Sequence, residues 1–425
     1  MSTLVIDGGT PLRGEILAAG NKNAVLPMLA AVLLTDQEVV LDNVPAIRDV
    51  DAMLDILDHL GVTIARDGRQ LRLRAASLRT YAIPPKLCSR LRTSFLCVGP
   101  LLARLGRARV SPPGGDVIGY RRLDAHIYGL RKLGVVVDEA NFEFGIERRL
   151  SGADLFFDEA SVTATEHLLL AAATAEGRTL IRNAASEPHV QALAEMLNAM
   201  GAQITGIGTN RLTVEGVDRL HGATSRVPSD HIEVGSFLAL VAATGGEVTI
   251  HDTIRTHYWM INRVFERFNL KLDFTATSVT LPGGQEPRIA KDLGGQVPRV
   301  DDGPWPQFPS DLMSSMLVLA TQSEGTVLFF EKMFESRLYF VDPLMQMGAS
   351  VIVCDPHRVV ITGKTPLRGQ PVRTPDIRAG MALVSAALCA RGTSTVGNAE
   401  IIDRGYEDLT PRLQQLGARI TCEKD

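Results

Sequence analysis

One pattern recurs six times along the chain, at intervals of about seventy residues: an amphipathic helix that ends in a hydrophobic–glycine–hydrophobic step and runs into a strand. It reads MLDILDHLGVTI from Met53, IYGLRKLGVVV from Ile127 and LAEMLNAMGAQI from Leu193. It returns as VDPLMQMGASVI from Val341 and LTPRLQQLGARI from Leu409. A weaker copy, INRVFERFNLKL from Ile261, puts Asn269 where the others have glycine. Glycine and asparagine both tolerate the left-handed conformation that ends a helix, so the exchange fits a C-cap.

A second unit alternates with the first: a helix rich in Ala, Leu and Val, a short polar turn, then a strand. Examples are KNAVLPMLAAVLLTDQEVVLDNV, TEHLLLAAATAEGRTLIRNAA and EVGSFLALVAATGGEVTIHDT. These helices are apolar around most of their circumference, which predicts burial on all sides. Six two-helix units divide into three plus three, and 425 residues exceed one typical core. Solenoid repeats run roughly 20 to 45 residues, shorter than these. The pattern therefore predicts two α/β domains of similar build with buried central helices, crossing over in TSRVPSDHIE around Pro228.

Each buried helix has a polar or charged residue at or just before its N-terminal end. Lys22 and Asn23 open the first, Arg92 the second, and Ser161 with Thr165 the third. Asp230 and Glu233 mark the fourth, Asp311 the fifth, and Asp376 with Arg378 the sixth. Ser161, Asp311 and Asp376 suit capping, which Ser and Asp commonly perform. Capping does not call for Lys22, Arg92 or Arg378. Helix N-termini favour anions, and added cations strengthen that preference. The expectation is a phosphate-binding cleft between two domains.

A second concentration is SPPGGDVIGYRRLDAH, from Ser111 to His126. Its prolines and glycines mark a turn or mobile loop around Asp116. Such a loop serves either as a plain connection or as a carrier of an acid over a substrate.

The remaining features mainly exclude. A formal net charge of -4 argues against nucleic acid as the principal ligand but permits a small anion. The five cysteines are scattered, and the nine histidines show no metal-ligand spacing, so no disulfide framework and no metal is expected. The opening MSTLVIDGGT is not laid out as a signal peptide, and no apolar run approaches a membrane span, so a cytoplasmic location is expected. There is no GxxxxGK[ST], HExxH or GxSxG motif. Residue chemistry alone leads to an anion site with Asp311 and Asp116 as acid–base candidates. It leaves the reaction open.

At these residues the chain resembles the enolpyruvyl transferase family, in the branch whose acceptor is UDP-N-acetylglucosamine. The carrying segments are NKNAVLPMLAA, RLRTSFLCVGPLLAR with Arg92, PPGGDVIGYRRLDAH, WPQFPSDL with Asp311, MFESR with Arg337 and DRGYED with Arg404. The resemblance runs from GGTPLRGEI to LQQLGARI, nearly the whole chain. It implies two similar inside-out α/β domains, each made of three βαβαββ units. One would be 22–229 with the Asp116 loop, the other 1–21 plus 230–425.

It also implies the chemistry: transfer of the enolpyruvyl group of phosphoenolpyruvate to the 3-hydroxyl of UDP-N-acetylglucosamine, committing that sugar to peptidoglycan. No metal and no cofactor is implied. Lys22, Arg121 and Arg404 would bind the phosphate and carboxylate of phosphoenolpyruvate. Asp311 would take the proton of the attacking hydroxyl, and Asp116 would protonate the methylene carbon. Arg121, Arg122, Leu123, Asp124 and Ala125 would hold the uridine. Ser161, Val162 and Thr163 would hold the diphosphate, and Asn23, Asp311 and the region of Met333 the amino sugar. Arg92, Arg337, Asp376 and Arg378 complete the implied substrate-binding set.

Several positions depart from the family's pattern. Many members carry cysteine where this chain has Asp116. To donate a proton near neutral pH, an aspartic acid must titrate well above the ordinary value of about 3.9. The usual ARP is YRR at Arg122, SVGAT is SVTAT at Thr163, and FENR is FESR at Ser336. Two of these fall on the nucleotide end, so another nucleotide acceptor such as UMP, or an inactive UDP-sugar-binding sensor, are the alternative expectations.

Overall fold

A computed structural model describes residues 2–116, 118–119 and 121–424. The chain divides into two compact units. One comprises Gly20–Asp116 and Arg121–Pro228; the other comprises Met1–Ala19, Val117–Tyr120 and Ser229–Asp425. They are called here the N-terminal and C-terminal units.

The N-terminal unit holds helices α1 (Lys22–Ala31), α2 (Arg48–Leu60), α3 (Pro85–Cys88), α4 (Val98–Leu105), α5 (Asp124–Lys132), α6 (Val162–Ala172) and α7 (Pro188–Ala199). The C-terminal unit holds α8 (His231–Thr244), α9 (Trp259–Arg267), α10 (Ser310–Thr321), α11 (Val341–Gln346), α12 (Ile377–Cys389) and α13 (Leu409–Gln415). In the first, α6 packs against both α1 and α4; in the second, α8, α10 and α12 pack against one another. Every residue of α8 from His231 to Ala242 is buried, as its all-round apolar sequence predicts.

The sheets repeat one small design. A strand that follows a buried helix pairs in parallel with a short strand on one side and antiparallel with a hairpin on the other. Thus Glu38–Asp42 lies between Thr224–Arg226 (parallel) and Gln70–Arg74 (antiparallel). Arg178–Arg182, Glu247–His251 and Gly325–Phe330 occupy the same place in their own sheets. The Arg107–Arg109 sheet has three strands, and an isolated parallel bridge from Ala82 to Arg109 marks the fourth position. In the last sheet the inner hairpin place is taken by Ser2–Asp7, antiparallel to both Thr393–Gly397 and Arg419–Lys424.

The six hydrophobic–glycine steps behave alike. Gly61, Gly134, Gly201, Gly348 and Gly417 take φ between 93° and 104°, and Asn269 takes 56°. The asparagine copy thus ends its helix in the left-handed region like the glycines. One expected boundary differs. Arg92 opens a 3-10 stretch, Arg92–Cys97, ahead of α4 rather than the α-helix itself. Pro100 has no N–H to give to the carbonyl four residues back, which removes one bond that a continuous α-helix from Arg92 would make.

Candidate active site

The polar helix ends separate into caps and charged clusters. Ser161, Asp230 and Asp376 are N-caps: their side chains accept from Ala164 N (3.4 Å), from Ile232 N and Glu233 N, and from Arg378 N and Ala379 N respectively. Thr165 is buried and donates to the Ser161 carbonyl at 2.8 Å. Glu233 accepts from Ala19 N and pairs with Arg412 at 2.8 Å. These residues build the helix ends. At α1 the cap is Asn21, whose side chain accepts from Ala24 N at 3.0 Å. That leaves Lys22 and Asn23 on the first turn without capping duty.

In the N-terminal unit, Lys22 is buried and its Nζ lies 2.7 Å from Asp49 Oδ2 on the first turn of α2. Two opposite charges so far out of water are tolerable because each partner neutralises the other. Arg92 donates from one Nη2 to the main-chain carbonyls of Arg121 and Arg122, both at 2.9 Å. Burial, with a contribution from Arg121, brings the Arg92 guanidinium down to about 10. Arg121, Leu123 and Ala125 are half-buried, and Arg122 and Asp124 are exposed, where the chain enters α5. Val162 and Thr163 are half-buried on the first turn of α6. In the loop, Gly114 N donates to the Cys88 carbonyl, and a Cβ on Gly114 would lie 1.7 Å from the Ser89 carbonyl oxygen. Only glycine fits there, and it pins the loop two residues before the half-buried Asp116. Val117 and Tyr120 lie outside the described residues.

In the C-terminal unit, Asp311 does not cap α10. Its Oδ1 accepts from Arg337 Nη2 at 2.7 Å, and its Oδ2 from Arg378 Nε at 3.1 Å. Both guanidiniums are buried, over the rings of Phe334 and Tyr406. Burial opposes the Arg378 charge, but Asp311, Tyr406 and Asp230 outweigh it and hold its pKa above the ordinary value. Among the described residues, Arg337 Nε and Arg378 Nη1 have no hydrogen-bond partner. Met333 is half-buried on a turn organised by Glu331, whose Oε1 accepts from Met333 N, Phe334 N and the Ser310 hydroxyl. Burial, then a hydrogen bond with Asp302, raises the Glu331 carboxyl to about 9. Arg404 is half-buried at the end of the 3-10 stretch Ala399–Arg404.

Sequence reasoning missed Asp49, Glu331 and a histidine pair. His126 and His167, 41 residues apart, place Nδ1 against Nδ1 at 3.0 Å. They had no shared spacing to reveal them. Among the described residues no group of three or more metal-ligating side chains occurs, and no helix is long and apolar enough to cross a membrane.

Comparison with known proteins adds the rest. A family model described as EPSP synthase (3-phosphoshikimate 1-carboxyvinyltransferase) matches residues 6–413. A UDP-N-acetylglucosamine 1-carboxyvinyltransferase of Borreliella burgdorferi is 48% identical over 99% of both chains. One from Bradyrhizobium diazoefficiens is 49% identical, covering 98% of this chain and 97% of its own. Among solved structures, the enolpyruvyl transferase NikO from Streptomyces tendae superposes with a TM-score of 0.86 at 23% identity, over 100% of this chain and 99% of its own. An EPSP synthase from Acinetobacter baumannii gives 0.77 at 17%, over 100% of both chains. At such identities the structures establish the fold: two-domain α/β, as the repeats predict. The full-length match of the family model and of relatives near half-identity establishes more: the chain belongs to the enolpyruvyl (carboxyvinyl) transferase family.

Proposed function

We propose that the protein transfers the enolpyruvyl group of phosphoenolpyruvate to the 3-hydroxyl of UDP-N-acetylglucosamine, releasing phosphate, as the first committed step of peptidoglycan precursor synthesis. The observation that carries this reading is Asp311, gripped by Arg337 and Arg378 on the first turn of α10, in a chain whose relatives with that acceptor match nearly end to end.

Lys22, Arg121 and Arg404 supply the charge for the phosphate and carboxylate of phosphoenolpyruvate. Asp311 is held in place by two cations. It orients the sugar hydroxyl and takes its proton as the new C–O bond forms, when that proton has become acidic. The hydroxyl oxygen attacks C2 of phosphoenolpyruvate while Asp116 delivers a proton to C3, giving a tetrahedral ketal. Loss of phosphate and of one C3 proton then restores the double bond. Arg121–Ala125 serve the uridine and Ser161–Thr163 the diphosphate, with Arg92 holding the 121–122 backbone. Asn23 and Met333 border the amino sugar.

The test is phosphate release from purified protein with phosphoenolpyruvate and UDP-N-acetylglucosamine, with UMP in parallel and mass spectrometry of the adduct. Release with the UDP-sugar, lost in Asp311→Ala, supports the reading. Release with UMP alone reassigns the acceptor. Binding of the UDP-sugar without turnover by wild type points to a sensor.

A further inference from the structure

Three hydrogen bonds run in one direction through the N-terminal unit and end on a half-buried side chain. The Gly99 N–H, near the start of α4, donates to His167 Nε2 at 3.0 Å, so that nitrogen carries no proton. His167 must then carry its hydrogen on Nδ1, which lies 3.0 Å from His126 Nδ1. There is no room for a second hydrogen between them, so His126 Nδ1 accepts and its Nε2 is the protonated nitrogen. That Nε2 lies 3.1 Å from Thr163 Oγ1. The threonine oxygen therefore accepts from His126, and its own hydrogen points elsewhere. An imidazolium on either ring would set two N–H groups against each other or lose the Gly99 bond. Burial acts the same way, holding His126 well below its usual range and His167 down to about 3. Phe95 packs its ring edge-on to both imidazoles, 5.3 Å from each.

A hydroxyl ordinarily turns to donate or accept as a ligand requires. Here one lone pair is committed by a tautomer fixed from the backbone of another helix. We propose that the Gly99–His167–His126 relay occupies one of the two lone pairs of Thr163 and so biases its hydroxyl toward donating to the nucleotide, so that the start of α6 favours an unprotonated phosphate oxygen over a group that must itself donate. Thr163 is then a specificity-determining residue, and His126 and His167 are positioning residues acting through it. The identity of the ligand rests on the function proposed above; the polarity of the relay does not.

Two measurements test it. Nitrogen-15 imidazole spectra of the whole protein at pH 7 should show His126 neutral with hydrogen on Nε2 and His167 neutral with hydrogen on Nδ1. The opposite tautomers, or a charged ring, overturn the relay. In steady-state assays, Thr163→Val should raise the KM for UDP-N-acetylglucosamine about tenfold, the scale of a hydrogen bond to a charged group, and raise the KM for phosphoenolpyruvate much less. Thr163→Ser should recover most of the loss. His126→Phe should resemble Thr163→Val, and His126→Gln, which keeps a donor near the hydroxyl, should fall between. Equal acceptor KM in wild type and Thr163→Val overturns the proposal. Absence of phosphate release by wild type itself would instead sink the proposed reaction and leave the tautomers to decide the relay.

Discussion

Arg92 Nη2 donates to the main-chain carbonyl of Arg121 at 2.9 Å, and the same nitrogen reaches Arg122. A cation that sequence chemistry assigns to an anion therefore holds the entrance to α5 by its backbone. Arg92→Lys keeps the charge but replaces the planar guanidinium, whose Nη2 makes both bonds, with an ammonium on a stem of different reach. It should lower kcat/KM for the UDP-sugar by about tenfold, near 1.4 kcal/mol, with the midpoint of thermal unfolding moved little. A loss confined to phosphoenolpyruvate would mean that Arg92 acts on that substrate instead.

Asp311 holds two buried guanidiniums as well as serving the reaction. Asp311→Asn should reduce kcat by about 100-fold or more, the usual scale for losing a positioned base. Asp311→Ala should go further and also destabilise the C-terminal unit by about 3 kcal/mol, because Arg337 and Arg378 lose their shared partner. Calorimetric denaturation of the two variants separates the roles. Equal stability in Asn, Ala and wild type would show that the grip contributes nothing to the fold.

Asp116 replaces the thiol that many family members carry in the loop. An epoxide that alkylates such a thiol should leave the wild-type protein active and unlabelled. Asp116→Cys should acquire the label on the peptide containing Gly114 and Gly115. Mass spectrometry of the digested protein decides, and labelling of the wild-type loop would contradict the expectation.

Glu331 gives a pH dependence with a definite sign. Its pKa is about 9 in the fold against an ordinary 4.5, because burial and Asp302 favour the neutral acid. A raised carboxyl contributes stability that is complete below about pH 4.5 and is lost as pH rises toward 9. The unfolding midpoint should therefore fall from pH 6 to pH 9 more steeply in wild type than in Glu331→Gln, which keeps a neutral group beside Asp302. Parallel curves would remove Glu331 as the cause.

The repeats made the fold legible because each unit must bury one helix all round and end another at glycine or asparagine. Two of the caps were legible for the same local reason: Ser161 and Asp376 sit where a first turn needs an acceptor, whereas Asp230 was marked only as a polar helix end. Asp311 shows the limit. Its residue type and position also suited a cap, and only the approach of Arg337 and Arg378, 26 and 67 residues away, gives it a different task. The His126–His167 contact was invisible because helix packing, not sequence spacing, brings α5 to α6. At Gly129 a Cβ would lie 2.1 Å from Leu168 Cδ1, so this closeness depends on an absent side chain. Asp49 carried no sequence signal, because its partner Lys22 lies 27 residues away on another helix.

The strand Ser2–Asp7 lies between Thr393–Gly397 and Arg419–Lys424, so an early segment is completed by two late ones. At roughly 5–20 residues per second, it waits tens of seconds on the ribosome for both neighbours. The stretch 20–228 needs no such wait, since every strand of its sheets lies within it. Vectorial synthesis thus favours an order in which the N-terminal unit is complete while the other still trails an unpaired β edge. Joining the two ends and reopening the chain near Pro228 would reverse that order without altering a single pairing.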